Sequence, residues 1–119
     1  MTITCKKLSG NITGTVTAKT CKKVPKGYKS FSGDSSALAT GGTLTWNNGD
    51  TVDVGAPTTT DEGQGRCKKN WEEEDSTGTV TGSGGDTFDN SLVGGTYSSD
   101  TCIGPTGQIT LVKKTVATF

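Results

Sequence analysis

Four cysteines are the residues of this chain whose type and spacing most clearly indicate chemistry. Cys5, Cys21, Cys67 and Cys102 form an even set in a short, glycine-rich chain that contains no histidine. No two have the Cys-x-x-Cys spacing, which disfavours a zinc site and predicts two disulfides, with four free thiols as the alternative. Of three possible pairings we expect the sequence neighbours, Cys5–Cys21 and Cys67–Cys102. Disulfides persist in oxidising compartments, so we expect a secreted or extracellular protein, with Met1 standing where a signal peptide was removed.

The common catalytic arrangements are missing from the sequence. Without histidine, Ser-His-Asp and Cys-His nucleophiles are excluded, and no glycine-rich phosphate loop precedes a helix. A pair of carboxylates could hydrolyse a polysaccharide, but the candidates lie in a hairpin or an open loop, where solvated acids are the simpler interpretation: Asp50, Asp53, Asp61 and Glu62. A calcium site near Asp86 and Asp89 is conceivable, although its oxygen ligands are sparse. We therefore predict a protein that is not an enzyme and uses no cofactor.

The charges cancel overall but are arranged in blocks. Residues 1–33 carry lysines and no acid, whereas residues 34–63 carry acids and no base. Strands could interleave these blocks into a mixed surface; the alternative is a basic interaction face made by Lys6, Lys7, Lys22, Lys23, Lys26 and Lys29. A pI near 6.2 disfavours nucleic acid. The expected partners are an unknown protein or an anionic cell-envelope polymer, with weak self-association and no membrane insertion.

The stretch Gly41–Val54 gives the clearest prediction of secondary structure in the chain, a β-hairpin. Two alternating runs flank Asn48-Gly49, a dipeptide typical of hairpin turns. A two-residue turn would leave neither face apolar, whereas a three-residue loop over 47–49 gives one apolar face made by Leu44, Trp46, Val52 and Val54. We expect that register, with Gly49 left-handed in a bulge and Trp46 at the centre of the core.

The rest of the chain shows more short strands and no helical periodicity. Strands are predicted at 2–7, 12–18, 66–71, 77–81, 87–98 and 108–112, with loops at Lys22–Lys29 and Gly55–Gly65 and at most one helical turn at Trp71–Asp75. The 119 residues suggest one all-β domain, an antiparallel β-sandwich with a central hairpin around Trp46–Gly49. The expected core is Ile12, Val16, Leu44, Trp46, Val52, Val54, Val80, Leu92, Ile109 and Leu111.

A short internal repeat suggests duplication of a half-domain. Cys5-Lys6-Lys7 precedes the run Thr13–Thr17, and Cys67-Lys68-Lys69 precedes Thr77–Thr81, which has the same five residues. Two related halves, 1–64 and 65–119, would each contain one disulfide. Coincidence in a chain rich in Thr and Gly is the alternative.

Several of these stretches together resemble a protein family. They are Cys5…Gly10…Gly14-Thr15…Cys21, Ala37-Leu38-Ala39, Gly42–Thr51, Thr81–Gly85 and the Leu-Val…Thr-Val…Phe ending. The chain resembles, over most of its length, small secreted, two-disulfide, Thr/Gly-rich proteins of actinobacteria, which have no assigned activity. The resemblance implies secretion and an all-β fold.

The predicted fold and the lack of a recognisable catalytic arrangement in the sequence together favour a secreted, non-catalytic binding or cell-surface module. The sequence does not identify its ligand. The alternative is a secreted inhibitor or toxin-like protein that acts through an exposed loop, such as Gly55–Gly65 or Val24–Gly33.

Overall fold

Antiparallel strands make up the structure, a computed structural model that describes residues 3–22, 28–84 and 92–119. A short 3₁₀ helix (Ser35–Leu38) links the third and fourth strands, and the described residues form no α-helix. The ten strands are β1 (Thr4–Asn11), β2 (Thr15–Lys22), β3 (Phe31–Asp34), β4 (Gly42–Trp46), β5 (Thr51–Val54), β6 (Thr58–Asp61), β7 (Glu72–Gly84), β8 (Thr96–Ile103), β9 (Gln108–Leu111) and β10 (Ala117–Thr118).

The sheet closes into an eight-stranded antiparallel barrel. β5 and β6 lie end to end along β7, and β9 and β10 lie end to end between β8 and β1, so ten strands fill eight positions. The all-β, antiparallel prediction is confirmed. The more specific prediction of a sandwich is replaced by a barrel. The β7–β8 and β1–β9 pairings join the two halves of the sheet, whereas two stacked sheets would leave open edges.

The central hairpin has the predicted register. Leu44 pairs with Val52 and Gly42 with Val54, and Gly49 has a φ of 96°. Trp46 is only 1% exposed and packs edge-on against Phe31. Burial therefore selected the register that places every apolar side chain of the hairpin inside.

Both predicted disulfides are present. Cys5–Cys21 joins directly opposed positions of β1 and β2, and Cys67–Cys102 fastens the segment 62–71 to β8. The described residues include no free cysteine. The proposed duplication of halves stays a prediction.

The core differs from the predicted one at two positions. Ile12 is 56% exposed and Leu111 is half-buried, while the other eight predicted residues are buried. Ile12 lies in the β1–β2 turn, because the Asn11 side chain accepts bonds from the Thr13 amide (3.0 Å) and hydroxyl (2.7 Å) and moves the turn later in the chain than predicted. The expected core lacked several buried residues: Ile3, Leu8, Tyr28, Phe31, Tyr97 and Phe119.

Two local predictions were wrong, and the limit of at most one helical turn at Trp71–Asp75 holds, since β7 begins at Glu72. Gly55–Gly65, predicted as a loop, contains strand β6. Arg66–Trp71 is a series of turns, held by the Cys67–Cys102 disulfide and by bonds from Arg66. Lys23, Lys26 and the proposed calcium ligands lie outside the described residues.

Candidate functional site

The barrel interior is divided between a packed core and a cavity. Trp46 and the other aromatic residues fill the end remote from the 3₁₀ helix. The other end encloses a cavity of about 220 Å³, larger than the roughly 150 Å³ cavity that holds a benzene molecule. Its walls combine apolar side chains, hydroxyls and one carboxylate: Ile12, Leu38, Ala39, Ile103, Ile109, Ser35, Ser36, Thr59, Ser76, Ser99, Thr101 and Glu74.

The cavity exists because inward-facing residues become small and polar towards one end of the strands. Along β7, inward positions change from Val80 to Ser76 and Glu74, and along β8 from Tyr97 to Ser99 and Thr101. An eight-stranded barrel is just wide enough to be filled by side chains or to hold one small ligand. Small inward residues at this end leave the space that large side chains fill at the other.

Paired residues on neighbouring strands form two successive rungs across the cavity wall. The inner rung consists of Thr59, Ser76 and Ser99, on β6, β7 and β8. The next rung towards the open end consists of Asp61, Glu74 and Thr101. The type of polar side chain therefore changes with depth: hydroxyl groups line the inner part of the cavity, and carboxylates lie nearer to its mouth.

The hydroxyl groups of the inner rung, together with that of Tyr97, have more protons to donate than they have hydrogen bonds. The Tyr97 hydroxyl donates to Ser99 Oγ at 2.8 Å, and Thr59 Oγ1 and Ser76 Oγ lie 3.1 Å apart. Each pair has two hydroxyl protons and one hydrogen bond, so one proton of each pair has no acceptor among the described residues. Ser99 is only 3% exposed, so one of these donors is deeply buried. Burial also raises the pKa of Tyr97 to about 12.

Three carboxylates meet beside the cavity, and Glu74 is the one that forms part of its wall. Oxygens of Asp61, Glu72 and Glu74 all lie within 4.8 Å of one another. Burial raises the pKa of Glu74, and the charges of Asp61 and Glu72 raise it further. Within the described residues, every ion pair is made by Arg66, and none involves these three acids. The mouth is therefore an acidic region without an internal counter-charge from the described chain.

A separate charged cluster covers the outer face of the same strands. The Arg66 side chain and amide donate three bonds to the carboxylate of Glu73, which is 3% exposed, and lower its pKa to about 2. Desolvation, followed by Glu73 and Asp100, raises the pKa of Asp75 to about 7. With the Cys67–Cys102 disulfide, this cluster anchors segment 62–71 to the barrel, which is a structural role.

The predicted basic face is gathered mainly on β1 and β2. Lys6 lies beside Lys22, whose proximity lowers the Lys6 pKa, and Lys7 pairs across the strands with Lys19. Lys19 thus joins the predicted face, which did not include it. Lys29 is exposed, and its carbonyl accepts a bond from the Cys21 amide of β2. These strands lie on the opposite side of the barrel from β6 and β7, which separates the lysines of β1 and β2 from Asp61, Glu72 and Glu74.

The sequence did not identify the cavity residues. Of the four acids considered for catalysis, Asp61 lies beside the cavity-lining Glu74, and Glu62 is exposed. Asp50 accepts a bond from Tyr28, and Asp53 accepts one from Thr43 on the outer face. Ser76, Ser99 and Thr101 alternate with other polar residues, a pattern that indicates a solvated strand face. The one usable signal was the change from Tyr97 to small residues at every second position of β8.

Comparison with known proteins does not place the chain in a family. No protein-family model matches it, and no curated protein or solved structure is significantly similar to it. The resemblance to actinobacterial secreted proteins therefore stays a prediction. No helix in the described ranges is long and apolar enough to cross a membrane.

Proposed function

We propose that this protein is a secreted, non-catalytic binding module that holds a small ligand in the open end of its barrel. The observation that carries this proposal is the cavity of about 220 Å³. Ligand sites are typically concave and mostly apolar, with a few polar groups that fix the orientation of the ligand. Ile103 and Ile109, the hydroxyl rung and Glu74 supply that combination.

The chemistry of the cavity favours binding over catalysis. The Ser99 hydroxyl accepts from Tyr97, and no described residue forms a hydrogen bond with it as a base that could activate it as a nucleophile. Glu74 is the only carboxylate among the described residues that line the cavity, so the cavity itself does not hold the pair of carboxylates that glycoside hydrolysis needs. Secretion is supported by the two disulfides, which persist in oxidising compartments.

A fragment screen followed by nuclear magnetic resonance tests the binding proposal. We expect small apolar-polar fragments to shift the amide signals of Ser76, Ser99 and Thr101 in the full chain. Ala39→Trp, at an exposed position that borders the cavity, should block the mouth and abolish these shifts. Ala56→Trp, an equally exposed substitution away from the cavity, is the matched control and should leave them intact.

The screen also defines failure of the proposal. If no fragment shifts the cavity amides, or if Ala39→Trp leaves all shifts unchanged, the cavity is not a binding site. A circular dichroism spectrum like that of the unsubstituted chain confirms that each variant is folded.

A second candidate function is attachment to an anionic envelope polymer through the basic face. The observation in its favour is that Lys6 and Lys22 lie together while no described lysine forms an ion pair with an acid. The inhibitor or toxin alternative has less support, because Gly55–Gly65 contributes β6 to the barrel wall instead of forming a free loop.

A further inference from the structure

Building on the proposed function, we infer that the cavity ligand is a small organic cation, an ammonium group on a compact, largely apolar body. The inference combines three features of the cavity: an acid in its wall, surplus hydroxyl protons at its inner end, and apolar residues around its mouth.

Glu74 supplies the counter-charge. It faces inward on β7, forms part of the cavity wall, and has no cationic partner among the described residues. Asp61 and Glu72 add negative charge at the mouth, where they would attract a cation and repel an anion. An ammonium ion that reaches Glu74 forms a charge-assisted hydrogen bond, which is about twice as strong as a neutral one.

The inner rung indicates that the cavity is built for an occupant with a hydrogen-bond acceptor. Ser99 is 3% exposed, and the Tyr97–Ser99 pair has a proton without an acceptor among the described residues. The Thr59–Ser76 pair has another, although Thr59 is exposed, so the buried donor without a partner is the one of the Tyr97–Ser99 pair. A buried donor that lacks a partner costs free energy, so an uncharged oxygen on the inner end of the ligand is favoured.

Apolar residues account for the body of the ligand. Ile103 and Ile109 pair across β8 and β9 and line the wall. Ile12 borders the same cavity and is 56% exposed, which leaves apolar surface at the mouth that an apolar body would cover. A six-membered ring fits the volume, since the cavity exceeds the roughly 150 Å³ that holds benzene.

Three probes of nearly equal size separate charge from shape. Tetrahydropyran-4-ylmethylamine is cationic at neutral pH, tetrahydropyran-4-ylmethanol is its neutral counterpart, and tetrahydropyran-4-carboxylate is anionic. Each carries the ring oxygen that the hydroxyl rung favours. Dissociation constants are measured on the full chain from the amide shifts of Ser76, Ser99 and Thr101.

We expect the amine to bind about ten- to a hundredfold more tightly than the alcohol, and the carboxylate to bind more weakly than both. Glu74→Gln keeps the shape of the side chain and removes its charge, so it should bring the amine to the affinity of the alcohol. Asp53→Asn removes one negative charge from the outer face of β5 and should leave the affinities unchanged.

The outcomes distinguish this inference from the proposed function. If amine and alcohol bind equally and Glu74→Gln has no effect, the cavity binds ligands but does not select cations, and the inference is wrong. If calcium chloride alone shifts the same amides through Glu74 and excludes the amine, the site is a metal site and the inference is overturned. If none of the three probes or the fragments binds, the proposed function fails as well. Should Glu74→Gln not fold, the probe series on the unsubstituted chain still decides.

Discussion

Arg66 holds Glu73 through three hydrogen bonds of 2.8 to 3.1 Å, on the face of β7 opposite to the cavity. The next residue, Glu74, lies in the cavity wall. Two adjacent residues of β7 thus differ in their surroundings: the Glu73 carboxylate forms an ion pair with Arg66, and the Glu74 carboxylate lies in the wall of the cavity. The difference in partner, and not in residue type, makes Glu73 structural and Glu74 available to a ligand.

Stability should be greatest near pH 4 to 5. Glu73 has its pKa lowered from 4.5 to about 2, so its stabilising contribution is present above pH 4.5 and is lost as the pH falls towards 2. Asp75 has its pKa raised from 3.8 to about 7, so the folded state binds that proton more tightly and stability falls as the pH rises from about 4 to 7. Glu74, whose pKa is also raised, acts in the same direction as Asp75.

Urea unfolding at several pH values tests this profile. Asp75→Asn should remove most of the decline between pH 4 and 7, because an amide has no charge to desolvate. Asp53→Asn, with its side chain on the outer face of β5, should retain the decline. A profile that rises steadily from pH 4 to 7 would contradict the assignment.

Trp46→Ala should cost about 3–5 kcal/mol in the free energy of unfolding, close to the whole stability of a small domain. Trp46 is buried and contacts Tyr28, Phe31 and Phe119, so its removal leaves a cavity in the aromatic core. Trp71→Ala is the matched control, since Trp71 is half-buried outside the barrel beside Lys68, and it should cost much less. Equal losses for the two variants would show that Trp46 is not central.

Replacing Cys67 and Cys102 together by Ser should lower stability by about 2–4 kcal/mol. The bridge joins residues 35 apart, so its loss frees a long loop in the unfolded chain. The Arg66–Glu73 bonds remain, and cavity binding should persist at temperatures where the variant is folded. Denaturant unfolding and intact-mass measurement check this; free thiols in the untreated native protein would contradict the pairing.

Ligand binding should depend on pH in the direction set by Glu74. An aliphatic amine is protonated below about pH 10, so only the protein titrates in the acidic range. Amine affinity should therefore rise as the pH increases through the raised pKa of Glu74. Glu74→Gln should show a flatter profile, whereas a steep dependence that survives this substitution would show that Glu74 is not the titrating group.

Adhesion to anionic polymer should depend on the basic face and on salt. Lys6, Lys7 and Lys22 changed together to Gln should weaken retention on a heparin column at low salt, because exposed charges attract polyanions only over short, screened distances. Changing Lys68, Lys69 and Lys114 to Gln removes the same charge elsewhere and serves as the control. Equal retention of both variants, or retention of the unsubstituted chain unchanged at about 0.5 M salt, would disprove a specific face.

Structural features that depend on residues close in sequence could be predicted from the sequence. Features that depend on closure of the barrel could not. The register of the Leu44–Val52 hairpin follows from alternation and turn chemistry, and the disulfides paired as sequence neighbours. The β1–β9 pairing joins residues nearly a hundred positions apart, and no local signal marks it. The cavity depends on that closure: Ser76 and Ser99 turn inward only because the barrel closes around them, and as isolated strand residues they indicate a solvated surface.

The aromatic core and the cavity occupy opposite ends of the barrel, so the positions that maintain the fold are separate from those that would contact the proposed ligand. The exposed rim residues Ser36 and Ala39 lie at the end of the barrel remote from Trp46, so we expect substitutions there to leave the aromatic packing intact. The rim can therefore accept mutations at little cost in stability, so that one scaffold could diversify to recognise many different small molecules. In that respect the molecule is a natural starting point for evolving new binding specificities, with two covalent bridges and a packed core to buffer the changes.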